Sequence, residues 1–367
     1  MKIMPSLFLK KIFSLPNYIS MPASGVEICN KSIKYIEFDK INGETKLSNY
    51  GEVFLPQGVF KDGEILNRAE FIKALDIVKD HLKNYFVKVS VPEEKTYLFN
   101  IKLPYLKPEE IRQALEFRLE ENVPLKALES SFEFKLIRKP KKSTEDLFLN
   151  VSVIPKKTVE EYSDVFRTVG LNIISLETES KMVSKSLIKK SEQKTVMIVH
   201  IKDDTTTMSI VSQDSTCFTS SIPVGNNSVL EILRKIPAIN SENLKKIPEK
   251  MLSLDDFYDE EAYDSLLNIF SVIKDEVERF NKYWVSQIEN HKEYGFRTLD
   301  QIILCGRAAA IPGLANHISQ NIGIDTVVGN VWGNVFNLKE YIPSLKFFDS
   351  LDYAVTIGLA TPSRYKY

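Results

Sequence analysis

The chain has 367 residues, of which 43% are hydrophobic and 26% charged, and its 48 basic and 49 acidic side chains leave a formal net charge of −1. That length allows two or three domains with separate cores, whereas the balanced charge excludes a global electrostatic field that would recruit nucleic acid. Cys29, Cys217 and Cys305 lie far apart, so the sequence predicts neither a disulfide framework nor a zinc site and favours a reducing, cytosolic setting.

The N-terminal segment, residues 1–22, is rich in apolar side chains but is interrupted by Lys10 and Lys11, and no small-residue cleavage site follows it. A membrane span needs about 20 consecutive apolar residues, so the segment is predicted to be neither a signal peptide nor a span. Its loose amphipathic pattern leaves three alternatives open: packing against the body of the protein, disorder, or contact with a membrane surface.

Two stretches of the chain share one order of predicted elements. Residues 25–57 alternate apolar and polar side chains in three short runs separated by turns, and residues 195–226 repeat this arrangement. Such alternation predicts β-strands, and Asn42-Gly43 is typical of the tight turn of a hairpin. The two predicted meanders indicate an internal duplication and therefore a two-lobed protein.

Each meander is followed by a predicted helix with one apolar face. The two faces consist of Phe71, Leu75, Val78 and Leu82 in the first half and of Leu266, Ile269, Phe270, Ile273, Val277, Phe280, Trp284 and Ile288 in the second. After the second helix, the run from Gln301 to Leu304 predicts a fully buried strand, because its apolar residues are consecutive. The turn beyond it therefore lies at the carboxyl end of a strand, where open α/β sheets bind ligands.

Between the two halves, residues 95–177 are predicted to form an α/β insert module with the element order βαββαβ. Its first helix, from Pro108 to Asn122, begins with proline, which suits a first helical position. The buried stripe of this helix is predicted to be Ile111, Ala114, Leu115 and Leu119. The predicted organisation is thus residues 23–94 as the first part of lobe I, the insert, and residues 178–367 as lobe II with a return helix to lobe I.

Several segments, in this order and spacing, resemble the actin-like ATPase superfamily and, more closely, the PilM family, a cytosolic component of type IV pilus assembly related to the cell-division protein FtsA. They are GVEICNKSIKYIEF, LPYLKPEEIRQALEFRLEENVPL, VSVIPKKTVEEYSDVFRTVGLNIISLE, SIPVG, DEVERFNKYW, LCGRAAAIPGL and TIGLA. The resemblance extends from about Gly25 to Ala360. It implies an α/β, actin-like (ribonuclease H-like) duplicated two-lobed fold with the insert in the first lobe.

In this family, short glycine-containing turns hold the phosphates of ATP through backbone N–H groups, and acidic residues place Mg²⁺. The first turn carries an aspartate and a glycine where this chain has Glu27 and Cys29, and the second begins Asp-Ile-Gly where this chain has His200-Ile201-Lys202. The third turn is Ser-Gly-Gly-Gly-Ala in many relatives, and this chain has Cys-Gly-Arg-Ala-Ala at residues 305–309. By residue match, the resemblance implies as nucleotide-binding candidates Ser32, Lys34, Thr205, Thr206, Glu276, Arg279, Tyr283, Gly306 and Arg307. Glu27 and Asp203 are candidates for placing a metal ion.

Two interpretations of these turns are open. In the enzymatic one, Glu27 orients the metal, Lys34 contacts phosphate, and Arg307 replaces lost backbone donors with its guanidinium. In the other, Glu27 caps a strand, Lys34 is solvated, and Arg307 fills the cleft or pairs with a carboxylate. Because three turns depart from the family pattern together, the second interpretation is favoured: ATP hydrolysis is lost and no residue is assigned a catalytic role, while binding of ATP and Mg²⁺ without turnover stays open.

The insert is predicted to carry the function. In PilM relatives, a groove involving this module receives the cytosolic tail of an inner-membrane protein, PilN. The resemblance implies a cytoplasmic scaffold of a pilus, secretion or competence apparatus, held at the inner face of the inner membrane through a PilN-like partner, with no nucleic-acid partner. Tyr105 and Phe117 are partner-binding candidates because neither fits a buried stripe. The alternatives are an active actin-like ATPase whose nucleotide state regulates partner binding and a pseudo-ATPase that polymerises.

Overall fold

The computed structural model describes residues 23–41, 43–138, 145–189, 194–234, 260–311 and 313–362. The predicted amphipathic segment 1–22 lies outside these residues, and its three alternatives stay predictions. Within the described ranges, no helix combines the length and the apolar composition that crossing a bilayer requires.

The strands are, in chain order, β1 (Ser24–Ile28), β2 (Ser32–Ile41), β3 (Glu44–Phe54), β4 (Phe60–Lys61), β5 (Glu64–Ile65), β6 (Phe86–Val91), β7 (Tyr97–Leu103), β8 (Ser130–Arg138), β9 (Leu147–Pro155), β10 (Asn172–Thr178), β11 (Val196–Ile201), β12 (Thr206–Ser212), β13 (Ser215–Ile222), β14 (Gln301–Cys305) and β15 (Thr326–Val328). The α-helices are α1 (Arg68–His81), α2 (Pro108–Asn122), α3 (Lys156–Thr168), α4 (Glu179–Leu187), α5 (Asn226–Leu233), α6 (Glu260–Asn290), α7 (Leu314–Ile322), α8 (Phe347–Ser350) and α9 (Ala354–Ala360).

Two five-stranded sheets of one topology form the two lobes. The first runs in the order β3-β2-β1-β6-β10 and the second in the order β13-β12-β11-β14-β15. In each sheet the three meander strands pair antiparallel and the two added strands pair parallel. The duplication predicted from the two meanders is therefore present in the strand order, and the turn between β12 and β13 has the positive φ angles of a tight hairpin at Gln213 (53°) and Asp214 (60°).

The predicted apolar helix faces form the cores of the lobes. Phe71, Leu75 and Val78 of α1 are fully buried against the first sheet. The buried face of α6 packs on the second sheet and includes Phe270, Ile273, Val277, Phe280 and Trp284. The side chain of Leu266, also predicted for this face, lies outside the described residues.

Two helices connect the lobes. Helix α4 follows the last strand of the first sheet, and α9 packs against both α4 and β1. Gly25 and Gly358 make this packing close, since an added Cβ would lie 2.3 Å from the carbonyl oxygen of Thr356 and 2.1 Å from that of Met182, respectively. The predicted return helix to lobe I is therefore α9, and it lies directly behind the first turn of the cleft.

The insert is smaller than the sequence indicates. The predicted order βαββαβ is present along the chain, but only β7, α2, β8 and β9 form the insert, whose sheet has the order β7-β9-β8. The prediction that α3 and β10 belong to it is wrong: β10 pairs parallel with β6, and Tyr162, Val165 and Phe166 of α3 lie in the core of the first lobe. Both α3 and β10 are amphipathic, so either sheet could bury their apolar faces. The pairing of β10 with β6 places both elements in the first lobe.

The insert also contacts the second lobe. The side-chain amide of Asn100 on β7 donates to the carbonyl of Cys217 at 3.1 Å, and that of Asn150 on β9 donates to the carbonyl of Thr216 at 2.9 Å. Phe148 on β9 packs in the core of the second lobe, edge to face with Tyr294. The insert is thus connected to the first lobe through the polypeptide backbone, and side-chain contacts hold it against the edge of the second lobe.

Candidate functional site

Two of the three predicted phosphate turns meet at a cavity between the lobes, and the third reaches it through an ion pair. The cavity encloses about 50 Å³, room for only a few water molecules. It is lined by Glu27, Ile28, Cys29, Asn30, Lys31, Lys34, Pro92, Glu94, Glu179, His200, Lys202, Asp203, Asp204, Thr205 and Asp352. The cleft that the duplicated fold creates is therefore filled by charged side chains of the chain itself.

In the first turn, Glu27 is 2% exposed and its Oε2 has no hydrogen-bond partner. Burial raises the pKa of this carboxyl to about 8, although the nearby ammonium of Lys34 opposes the shift. Glu27 is thus protonated and neutral at pH 7. A divalent cation would have to displace this proton before Glu27 could bind it.

Lys34 is buried rather than solvated, so the prediction of a solvated side chain is wrong. Its Nζ lies 3.2 Å from a carboxylate oxygen of Asp352 and 3.2 Å from the carbonyl oxygen of the same residue. Burial alone would lower the pKa of Lys34, but Asp352 outweighs it and holds that pKa well above its usual value. The ammonium that would contact a phosphate is therefore already paired within the chain.

In the second turn, Lys202 points into the cavity. Its Nζ lies 2.9 Å from Glu179 at the start of α4 and 3.7 Å from Glu94, which follows β6. The backbone N–H groups of Asn226 and Asn227, at the start of α5, donate to the carbonyls of Lys202 and Asp203. Donors at a helix N-terminus are typical phosphate ligands, and here they bind backbone oxygens instead.

In the third turn, Gly306 has a φ of +91°, and an added Cβ would lie 2.0 Å from the carbonyl oxygen of Ile201. The glycine is thus required by its approach to β11, whether or not a ligand is bound. The next residue, Arg307, contacts Asp352 through its guanidinium at 3.1 Å. Of the two interpretations of this arginine, the structure matches pairing with a carboxylate.

The hydroxyl groups among the candidates also have partners in the protein. Ser32 donates to Glu52 at 2.6 Å and Thr206 to the carbonyl of Val224 at 2.7 Å, and both residues are fully buried. Thr205 lines the cavity. Neither buried hydroxyl faces a space that a phosphate could occupy.

The arrangement does not fit ATP with Mg²⁺. Lys34, Lys202 and Arg307 are bound to carboxylates, and the cavity between the turns is far smaller than a nucleotide. In the described parts of the chain, no group of three or more His, Cys, Asp or Glu side chains has the geometry to hold a metal ion. We therefore derive no catalytic step through either group.

A second cavity, of about 560 Å³, lies between the insert and the second lobe. Two nucleotide candidates, Arg279 and Tyr283, line this cavity rather than the cleft, and Glu276 is the ion-pair partner of Arg279 on the same helix. The wall is formed by β7, β13 and α6 and consists of Leu98, Phe99, Asn100, Phe218, Thr219, Ser220, Arg279, Phe280, Tyr283, Gln287, His291, Tyr294 and Phe296. We call this cavity the insert groove.

The two partner-binding candidates lie on the surface of the insert. Phe117 of α2 is 77% exposed and Tyr105, just before that helix, is 43% exposed. Of the predicted buried stripe of α2, Ile111, Leu115 and Leu119 are buried, whereas Ala114 is only partly buried. Both candidates are thus free of the insert's own core.

Sequence reasoning missed the three acids that neutralise the cleft: Glu94, Glu179 and Asp352. Nothing in their local sequence distinguishes them from solvated carboxylates. The signal was indirect, since Lys202 and Arg307 stand at glycine positions of the family and, together with Lys34, bring three cations to one predicted cleft, which requires anions nearby. Which acids fulfil that role depends on contacts between residues up to 318 positions apart.

Comparison with known proteins agrees with this architecture. The family model described as "Type IV pilus assembly protein PilM" matches residues 25–364. Among solved structures, the chain is similar to the PilM-PilN type IV pilus biogenesis complex, with 15% identity and a TM-score of 0.74 over 93% of this chain and 98% of that chain. This likeness confirms the predicted α/β, actin-like two-lobed fold.

Weaker similarities extend to two further structures. EutJ, an ethanolamine utilization protein from Carboxydothermus hydrogenoformans, shares 13% identity with a TM-score of 0.47, over 94% of this chain and 92% of that chain. MreB5 of Spiroplasma citri bound to ADP shares 15% identity with a TM-score of 0.48, over 92% and 94%.

Proposed function

Because the chain belongs to the PilM family of type IV pilus assembly proteins, we propose that it is an assembly scaffold that has lost ATP hydrolysis and that docks the cytoplasmic tail of an inner-membrane partner. The similar solved structure is a complex of PilM with PilN, which supports a PilN-like protein as that partner. On this proposal the chain works in the cytoplasm and reaches the inner face of the membrane through its partner.

The loss of ATPase chemistry rests on one observation: the cations Lys34, Lys202 and Arg307 are each bound to a carboxylate of the same chain. A triphosphate entering the cleft would have to displace Asp352 and Glu179 and leave them buried without a cation. Removing one partner from a buried ion pair costs about 3–5 kcal/mol, so nucleotide binding is opposed by the structure of the protein itself.

The insert groove is our proposed docking site for the tail. Its wall combines aromatic side chains with two edge strands, because β7 lies at the edge of the insert sheet and β13 at the edge of the second sheet. An extended peptide gains backbone hydrogen bonds at a sheet edge and apolar contacts in side-chain pockets. Tyr283 is 44% exposed at this wall and stacks edge to face on Phe218, the geometry of an aromatic anchor.

Calorimetry with a synthetic peptide of the cytoplasmic tail of a PilN-like membrane protein from the same organism tests docking. We expect binding by the unmodified protein and at least tenfold weaker binding by Tyr283→Ser, because an anchoring aromatic contributes about 1.4 kcal/mol or more. Ile77→Ser is the matched control, since Ile77 is 48% exposed on α1, outside the insert. A loss with Phe117→Ser alone would move the site to α2, and a peptide that does not bind the unmodified protein contradicts docking.

The same protein, titrated with ATP and Mg²⁺, tests the loss of hydrolysis. We expect no release of phosphate above that of buffer. Arg307→Gly restores the glycine of the third family turn and leaves Asp352 paired with Lys34, so this variant is expected to bind nucleotide more tightly than the unmodified chain. Phosphate release by the unmodified protein would support the alternative, an active ATPase.

A further inference from the structure

The lobes of this chain are joined across the cleft by side chains. Lys202 of the second lobe contacts Glu94 of the first lobe and Glu179, which begins the connecting helix α4 next to β10. The start of α4 is held on the first-lobe side, where Ser180 donates to Glu93. At the mouth of the cleft, Lys31 of the first lobe lies 3.0 Å from Asp204 of the second. These contacts connect the turn after β1 and the turn after β11, which face each other across the cavity.

A third connection runs through Asp352, just before α9. This carboxylate contacts Lys34 of the first lobe at 3.2 Å and Arg307 of the second lobe at 3.1 Å. Although burial tends to raise the pKa of Asp352, Lys34 and Arg307 outweigh it and hold that pKa below its usual value. The carboxylate is therefore ionised and bridges a cation from each lobe.

The ion pairs across the cleft differ in burial, and therefore in strength. The side chains of Lys202 and Glu179 are 17% and 4% exposed, whereas those of Lys31 and Asp204 are 56% and 41% exposed. Solvent and salt screen an exposed pair almost completely, but a buried pair cannot be opened without leaving a charge unpaired in the interior. Opening the cleft thus separates Lys202 from Glu179 at a large energetic cost.

We propose that the buried ion pairs of Lys202 and Asp352, without the exposed pair of Lys31, form a permanent latch, with Lys202 at its centre, that holds the two lobes closed without nucleotide. A bound nucleotide bridges two lobes by contacting both; here Lys202 and Asp352 make the equivalent bridges from within the chain. The inference goes beyond the proposed function, because it concerns the relative motion of the lobes and not what the insert binds. Its consequence is a scaffold of fixed shape.

Hydrogen exchange of backbone amides, measured on the full chain by mass spectrometry, tests the latch. Lys202→Met keeps most of the length and apolar stem of the side chain but removes its charge. We expect exchange at residues 200–206 to become at least tenfold faster, while β9 in the insert core changes less than twofold. The exposed pair provides the matched control, so Lys31→Met is expected to leave residues 200–206 within twofold of the unmodified protein.

Glu179→Gln keeps the test informative if Lys202→Met does not fold. The amide retains the shape and a hydrogen-bond acceptor for Lys202 but removes the charge, and we expect a smaller acceleration, about threefold, at the same residues. Faster exchange to the same extent in β9 would indicate general destabilisation and overturn the latch. Unchanged exchange at residues 200–206 in both variants would overturn it as well.

Discussion

The interlobe cleft and the insert groove differ in size and chemistry although the second lobe contributes a wall to each. The cleft encloses about 50 Å³ among ionised side chains that are paired with one another. The groove encloses about 560 Å³, and its aromatic wall includes Tyr283, a large and half-exposed side chain. In the cleft, Lys34 and Lys202 are paired with carboxylates of the chain, whereas the groove presents a half-exposed aromatic side chain.

The comparison shows that a side chain can match the family motif and still not be free to bind a ligand. Lys34 matches the family motif in identity and position, yet its ammonium is bound to Asp352. Tyr283 also matches the family, yet it lies in the groove and not in the cleft. A matched residue therefore identifies the fold, whereas its function depends on whether a partner within the protein already occupies its polar atoms.

The largest effect is expected from Gly306→Ala, which tests the close packing of the cleft. An added Cβ would lie 2.0 Å from the carbonyl oxygen of Ile201, and the φ of +91° is itself unfavourable for alanine. We expect the free energy of unfolding to fall by about 4 kcal/mol, as measured by denaturant titration. Gly43→Ala is the control, because its φ is +83° with open space around it, and we expect a cost of about 1 kcal/mol. Equal costs for the two would contradict the close approach.

A smaller, pH-dependent effect is expected from Glu27→Gln. Burial raises the pKa of Glu27 to about 8 in the folded protein from 4.5, so the folded state holds a proton that the unfolded state releases. The resulting stability is complete below pH 4.5 and is lost as the pH rises through 8. Relative to the glutamine variant, the unmodified protein should lose about 1.4 kcal/mol of unfolding free energy per pH unit between pH 5 and 8.

Comparing the unmodified protein with Glu27→Gln isolates the contribution of Glu27 to the pH dependence of stability. Glu93, whose pKa burial raises to about 7, titrates in the same interval but is present in both. Glu44→Gln, at an exposed strand end, is the control and should follow the pH dependence of the unmodified protein. A constant difference between Glu27→Gln and the unmodified protein across this interval would show that Glu27 is ionised in the cleft.

The smallest effect is expected on the surface of the insert. Phe117 is 77% exposed, so Phe117→Ser should change the free energy of unfolding by less than about 0.5 kcal/mol. Leu115, two residues earlier in α2, is 1% exposed, and Leu115→Ala should cost about 3 kcal/mol in the same denaturant titration. A large cost for Phe117→Ser would mean that this ring is covered, which would weaken its candidacy for binding a partner.

Local patterns predicted the elements well. The helix from Pro108 to Asn122 has the predicted bounds, and both meanders are present, although Asn42 of the first predicted turn lies outside the described residues. These features depend on neighbours within a few residues, through proline at a first helical position, apolar periodicity and hairpin turns. The repeated meander then sufficed to predict a two-lobed fold.

The content of the cleft could not be predicted in the same way. The acid that binds Lys34 is Asp352, and the two are brought together by the packing of α9 on β1. Likewise, whether β10 joins the insert or the first sheet depends on its pairing with β6, which no local pattern specifies. Sequence reasoning identified cations in the cleft, but their partners are a property of the folded chain.

The amides of Asn100 and Asn150 have a further consequence for self-association. Both donate to carbonyls of β13, at Cys217 and Thr216, and β13 is the edge strand of its sheet. Exposed edge strands can recruit strands from other copies and start aggregation. By covering this edge at Cys217 and Thr216, the insert shortens the stretch of β13 that is open to pairing with a strand of another copy.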